Sequence, residues 1–485
     1  MKKFIGILAI LMTGYYAQSQ TDSTFIEFQK EFEEFSDSIE KELTTFEWQN
    51  DSLFIQFLEQ SWKEFDIFSG NPPPQRPKPR EQPSIGKHDD TIRQKIDFKG
   101  ILKPDTVPND NEGRLNKVRQ PDYESRVIVK SFEVFGVPAK VQYYPDDLPQ
   151  LGTQVNRKSI IKFYQDISLK APIWESNLLG FKEIKDSFFF NDWGFYMIIE
   201  KAAQNIFSTK NEQTLFTWYA LVKSGYQAKI GYSGNNLYLL LPSYQELYNI
   251  QYLTENGLVY YIFLSGQEKP TQITTYPGVY TDDSKTFSFT LNKLPELPNG
   301  GLKYRNLTYN RATIQLVFNT RNIEFLESHP QCELKSYFAV PISQANLDAL
   351  DTIFSPLLER KTNRERIDIL LNFVQTSLEY QTDQEQFGKE RYMFAEECLY
   401  YDYSDCEDRA VLLGQLIKKF TGLPAIGLEF NQHVTLAVLS PDGDYGYYIL
   451  YKGNKYIICD PTFIHGKAGM VPEDLKKEVP RIILF

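Results

Sequence analysis

Six prolines fall within the fourteen residues of GNPPPQRPKPREQP, a stretch that begins at Gly70. Proline fixes φ near −65° and has no N–H to donate, so a run this dense excludes a helix or an interior strand and favours extended polyproline II. The chain must therefore fold as separate pieces on either side of it. Low-hydrophobicity sequence continues to about Tyr123, and residues 71–124 read as a linker.

The piece before the linker, residues 20–70, is acidic and helical in pattern. FIEFQKEFEEF sets Phe25, Phe28, Phe32 and Phe35 at steps of three or four, and a second pattern from Ser52 aligns Phe54, Leu58, Trp62 and Phe65. Residues 21–70 hold thirteen Asp/Glu against three Lys/Arg, which places most of the formal charge of −11 here. The acidic face is a solvated one, and the aromatic stripe predicts docking on the rest of the chain or on a protein partner. No stretch of the chain offers a basic face, so nucleic acid is excluded as a partner. Residues 1–19, MKKFIGILAILMTGYYAQS, show two lysines, a short apolar run and a small-x-small cleavage site, the pattern of an export signal. No later run approaches the roughly 18 apolar residues of a membrane span, so the expectation is an exported protein, periplasmic or secreted, that does not span the membrane.

Beyond the linker, the sequence predicts an α+β protein. Residues 125–267 open with alternating runs, RVIVKSFEVFGVPAKVQYY, that turn at Gly136, continue with the helical WGFYMIIEKAAQNIF and NEQTLFTWYALVKSGY, and close with the strand-like NLYLLLPS and GLVYYIFL. Residues 268–345 predict a β-rich domain, a small sheet or sandwich, from TFSFTL, ATIQLVF and KSYFAVPI. In residues 346–485, helices are expected near Asn346–Leu358 and Asn363–Tyr380, each with an asparagine cap, ahead of the segment that carries chemistry.

That segment holds SDCEDRAVLL, NQHVTLAV and YIICDPT, with Cys406, His433 and Asp460 at successive steps of 27 residues. Ser404 or Asp405 caps a helix whose apolar face recurs at Ala410, Leu413, Ile417 and Phe420, which puts Cys406 at a helix N-terminus, where unpaired N–H groups and the dipole favour a thiolate. His433 opens a β-type run, and Asp460 closes another before Pro461 stops it. In such a site the imidazole takes the thiol proton and returns it to the leaving group, while the carboxylate fixes the tautomer. Cys398, Cys459 and His465 lack the short spacings of zinc hooks, so neither a metal nor an organic cofactor is expected. With Cys406 assigned to chemistry, Cys332, Cys398 and Cys459 remain, and a Cys398–Cys459 bridge or buried thiols both fit.

Cys406 opening a helix, GLPAIG at Gly422–Gly427 leading into a strand, His433 at the next strand and the D-P-T at Asp460 together resemble the transglutaminase-like superfamily, whose core is similar to papain-type cysteine proteases. The likeness covers residues 346–485. It implies Cys406 as nucleophile, His433 as general base and acid, and Asp460 as the orienting carboxylate. The chain departs from that family in its tryptophans, all at or before Trp218, so the aromatic oxyanion partner is missing; Tyr403 is the substitute expected from YYDYSD, with the Cys406 N–H as second donor. Residues 126–267 repeat the order of two helices, a glycine turn and strands, which suggests a degenerate copy with residues near Asn211 at the Cys406 position and Asn236 and Leu237 at the His433 position. The expected activity is a peptidase or amidase that forms a thioester on a peptide or protein substrate. The alternatives are an inactive envelope scaffold and an amine-accepting cross-linking transglutaminase.

Overall fold

Phe135 and Gly136, with φ of 49° and 74°, turn the first alternating run back on itself, as a two-residue hairpin turn with both central residues left-handed requires. The computed structural model describes residues 49–74, 127–263, 268–281, 283–439 and 446–485, so the expectations for residues 1–48 and for most of the linker lie outside the described residues. The chain divides into two units, 1–60 and 61–485. In the first, helix α1 covers 49–58 with Phe54 and Leu58 buried.

The second unit begins with strand β1 (Lys63–Asp66), the hairpin β2 (Ile128–Val134) and β3 (Val137–Tyr143), and four helices, α2 (Arg157–Ser168), α3 (Ala171–Ser187), α4 (Asp192–Ile206) and α5 (Lys210–Lys223). Strands β4 (Lys229–Ser233), β5 (Asn236–Ser243), β6 (Tyr252–Glu255), β7 (Leu258–Phe263) and β8 (Gln272–Thr275) complete an antiparallel sheet ordered β1-β8-β4-β5-β7-β6. The helical spacing that aligns Phe65 with Leu58 is overridden here. Lys63–Asp66 pairs with Gln272–Thr275, and Phe65 joins the sheet core of Tyr238, Leu240 and Ile273, a burial that an isolated helix turn does not offer.

A hairpin, β9 (Leu302–Tyr309) and β10 (Ala312–Asn319), and two helices, α6 (Thr320–Ser328) and α7 (Leu334–Phe338), lead into the C-terminal part. Two sequence expectations fail in this stretch. TFSFTL forms no assigned strand, and KSYFAVPI starts as α7 rather than as a strand. Adjacent Tyr337 and Phe338 are both buried, Tyr337 against Phe394 and Phe338 against Phe485, which one face of a strand cannot provide.

Next come α8 (Gln344–Leu358), α9 (Asn363–Ser377), β11 (Glu379–Tyr380), α10 (Asp383–Gln386), α11 (Ala395–Tyr400), β12 (Tyr403–Ser404) and α12 (Cys406–Thr421). The caps of α8 and α9 are Ser343 and Thr362, not the asparagines expected. Asn346 is buried instead as a cross-link that accepts from Val317 N and donates to Glu396 Oε1. Helix α12 ends on Gly422 with φ 68°, a left-handed cap that glycine adopts without strain. Strands β13 (Ala425–Phe430), β14 (His433–Leu439), β15 (Tyr448–Tyr451), β16 (Asn454–Cys459) and β17 (Arg481–Ile483) form a second antiparallel sheet, ordered β15-β16-β14-β13-β17. Helix α12 packs on β13 and β14. Among the described residues 39% are helical and 26% are in strands, a mixed α and β class. When α5 is matched to α12, the strands that follow each helix appear in the same spatial order in the two sheets.

Candidate active site

The N-terminus of α12 forms where Asp405, in extended conformation, caps a helix and Asp408 accepts from the Asp405 N–H at 3.3 Å. Cys406 is thus the first helical residue, as its sequence context predicts. The residue is 1% exposed, and its thiol donates to Glu407 Oε2 at 3.0 Å. Asp408 also accepts from Met393 N at 2.8 Å, which ties the loop before α11 to the same turn.

His433 is the first residue of β14, opposite Phe430 across a two-residue turn. Antiparallel pairing of Leu436 with Cys459 carries the chain past β16 back toward that end of β14, and this register brings Asp460 to His433. The His433 Nε2–Asp460 Oδ2 distance is 2.9 Å. Asp460 Oδ1 accepts from the Thr462 N–H at 2.9 Å and the Thr462 hydroxyl at 2.8 Å, so both carboxylate oxygens are used. Burial opposes ionisation of Asp460, but the His433 ring and the Thr462 donors outweigh it and hold the carboxyl below its usual range. With Nε2 on the carboxylate, Nδ1 is the ring nitrogen not engaged by Asp460, while the Cys406 thiol bonds to Glu407.

Sequence reasoning missed the residues that hold this arrangement. Gln375, buried in α9, donates its amide N–H groups to the carbonyls of Asp460, Phe463 and Gly466 at 2.9–3.0 Å and so clamps the loop that presents the carboxylate. Arg305 of β9 reaches the carbonyls of Leu399 in the last turn of α11 and of Tyr401 and Asp402 just after it, fixing the approach to Tyr403. Tyr403 itself is 36% exposed in β12, where it pairs with Glu379. The neighbouring β11 residue, Tyr380, is within electrostatic reach of the thiol: burial, followed by the proximity of Cys406, Asp405 and Glu407, pushes its hydroxyl far above the usual range. Arg409 stacks on the Tyr380 ring, 5.2 Å from its centroid, and donates to Ser404 Oγ and the Leu378 carbonyl. None of these residues stands in a local pattern; each arrives by tertiary folding.

The remaining cysteines are free and fully buried, so the Cys398–Cys459 bridge is not formed. Burial pushes the Cys332 and Cys398 thiols up to about 12 and raises that of Cys459 as well. Around Cys406 the acids are unusual in number. Burial, then mutual repulsion, lifts Asp383 to about 10 and raises Asp405 and Asp408 well above the carboxylate range. No protein-family model, curated protein or solved structure matches the chain.

Proposed function

We propose that the protein is an exported, thiol-dependent acyl-transfer enzyme of transglutaminase-like type with a papain-like core, acting as a peptidase or amidase in the periplasm or outside the cell. The observation that carries this reading is the His433–Asp460 hydrogen bond at the start of the strand on which the Cys406 helix packs. Cys406 attacks an amide carbonyl, His433 takes the thiol proton and delivers it to the departing amine, and the acyl group remains on sulfur as a thioester. Asp460 keeps the imidazole in the tautomer that leaves Nδ1 free, and the Cys406 N–H with the Tyr380 hydroxyl supplies the oxyanion donors in place of Tyr403. Water resolves the thioester; an amine in its place would make the same site a cross-linker. The middle sheet is a degenerate copy of the C-terminal one, retained as scaffold.

Iodoacetamide at mildly acidic pH tests the reading. Burial raises the Cys332, Cys398 and Cys459 thiols and no imidazole among the described residues stands by to activate them, so labelling that depends on His433 belongs to Cys406 and disappears in His433→Ala. Equal, slow labelling of all four thiols would sink it. A second reading, an inactive recognition scaffold, is favoured by one observation, the 1% exposure of Cys406, whose thiol is already bonded to Glu407; labelling unaffected by His433→Ala supports that alternative.

A further inference from the structure

The thiol mechanism leaves one buried cation near Cys406 without a task. Arg409 lies one turn beyond Cys406 on α12 and is 1% exposed. Its Nε donates to Ser404 Oγ at 3.2 Å, its Nη2 to the Leu378 carbonyl at 2.7 Å, and its guanidinium carbon sits 5.2 Å from the centroid of the Tyr380 ring. These contacts bracket the ladder of β11 and β12, in which Tyr380 pairs with Ser404 two residues before Cys406. Both acceptors are uncharged, and Nη1 has no hydrogen-bond partner. A desolvated charge held in this way costs stability that a well-packed apolar side chain would not, so the cation calls for a reason beyond packing.

We propose that Arg409 is the positioning residue for the oxyanion donor, holding Tyr380 in register with the Cys406 helix and polarising its hydroxyl toward the carbonyl oxygen of a bound acyl group. The assignment rests on the proposed acyl transfer, with Tyr380 as donor. Strands β11 and β12 share only two residue pairs, Glu379 with Tyr403 and Tyr380 with Ser404, too few to fix a ring by themselves. Arg409 ties the residue before β11 and the last residue of β12 to the helix that carries the nucleophile, through a planar fork that lysine does not offer. Its charge acts on the phenol as well. Burial raises the Tyr380 hydroxyl most, Cys406, Asp405 and Glu407 add to that, and Arg409 pulls it the other way, which makes the O–H a stronger donor. When sulfur adds to an acyl carbonyl, negative charge collects on the oxygen, where a preoriented donor counts most. The proton stays on Tyr380 throughout.

The test compares two reagents on the full chain. p-Nitrophenyl acetate acylates Cys406 through an oxyanion, whereas iodoacetamide alkylates the same sulfur without one; Cys406→Ser is the blank for both. Tyr380→Phe should lower p-nitrophenolate release by about 10²-fold in kcat, the usual loss for one oxyanion donor. Arg409→Met should lower kcat at least about tenfold with KM little changed, while His433-dependent alkylation stays within about twofold of the wild type. In the Tyr380→Phe background the same substitution should cost less than about twofold, because a residue that acts through another then has nothing to act on. Arg409→Lys, which keeps the charge but not the fork, should fall between. If Arg409→Met does not fold, Ser404→Ala, which frees Nε alone, carries the same comparison at about threefold. Acylation and alkylation that fall together, or a loss undiminished in Tyr380→Phe, overturn the assignment and leave Arg409 a brace of the helix start. Alkylation independent of His433, or a wild type no faster than Cys406→Ser, overturns the thiol reading itself and the role of Arg409 with it.

Discussion

The two sheets of the second unit are built alike and equipped differently. Each follows a helix with an antiparallel hairpin, and the strands lie in the same order, β8-β4-β5-β7-β6 in the middle and β17-β13-β14-β16-β15 at the C-terminus. At the helix start, Cys406 capped by Asp405 corresponds to Lys210 capped by Thr209; at the second strand, His433 corresponds to Asn236. The middle sheet closes this gap with structure. Asn211 donates to the Asn235 carbonyl at 2.9 Å and accepts from the Leu237 N–H at 3.0 Å, so the helix end is stitched directly to the two residues that bracket Asn236. One framework therefore supports either a tether between helix and hairpin or a thiol and an imidazole, and the framework alone decides neither.

The largest effect that would sharpen the contrast is on turnover. Cys406→Ser should lower amide hydrolysis by at least about 10⁴-fold, because the hydroxyl is a far weaker nucleophile at a site poised for a thiol, with near-ultraviolet circular dichroism unchanged. Lys210→Ala, at the matching place in the middle sheet, should leave turnover as it is. Hydrolysis that survives in Cys406→Ser, or that falls equally in both variants, breaks the comparison.

A second difference is in acid stability. The Asp460 carboxyl is held below its usual range in the folded state, so its contribution to stability is complete above its unfolded value of about 3.9 and is lost as pH falls through the lower folded value. Asp460→Asn should remove this component and flatten the corresponding part of a urea-midpoint profile between about pH 5 and pH 2. Asn236→Ala, lacking any carboxylate partner, should shift the profile without changing its shape. An unchanged slope in Asp460→Asn would mean that the His433–Asp460 bond does not persist in solution.

Third, Gln375→Ala should cost about 2–4 kcal/mol, because its amide N–H groups reach three carbonyls in a buried place and each loses a partner. The loop that carries Asp460 would loosen, and kcat should drop more than KM rises if the clamp orients the carboxylate rather than the substrate. A loss of stability with no change in kcat assigns Gln375 to folding alone.

What was legible in the sequence is the part written locally. The cap at Asp405, the period through Ala410, Leu413 and Ile417, and the strand beginnings at His433 and ending at Cys459 all lie within a few residues of the signals that encode them. The unread part depends on contacts far apart along the chain. Lys63–Asp66 becomes a strand only because Gln272–Thr275, some two hundred residues later, offers an edge. Gln375, Tyr380 and Asp383 come to the site from the far end of α9 and the turns after it, and no spacing marks them. The acids of SDCED were in view, but their local pattern assigned a role to Asp405 alone, as a helix cap; only the fold shows that Asp405, Glu407 and Asp408 are all buried.

The smallest effect bears most directly on the pairing of the two sheets. Asn211→Ala removes two hydrogen bonds at a partly exposed helix end, where water can satisfy the Asn235 carbonyl and much of the Leu237 N–H, so the cost should be about 1 kcal/mol, roughly 2 °C in unfolding temperature for a unit of this size. Asn211→Asp separates the two bonds. The carboxylate still accepts from Leu237 N–H and gains from the positive end of α5, but it cannot donate to the Asn235 carbonyl. If the acceptor half is what holds the hairpin to the helix, Asn211→Asp should recover most of the loss, and hydrogen exchange at Leu237 should stay slow in it while speeding up in Asn211→Ala. Fast exchange in both variants would instead place the hold in the donor half, at the Asn235 carbonyl, and would remove the reason to regard this tether as the middle sheet's replacement for a thiol and an imidazole.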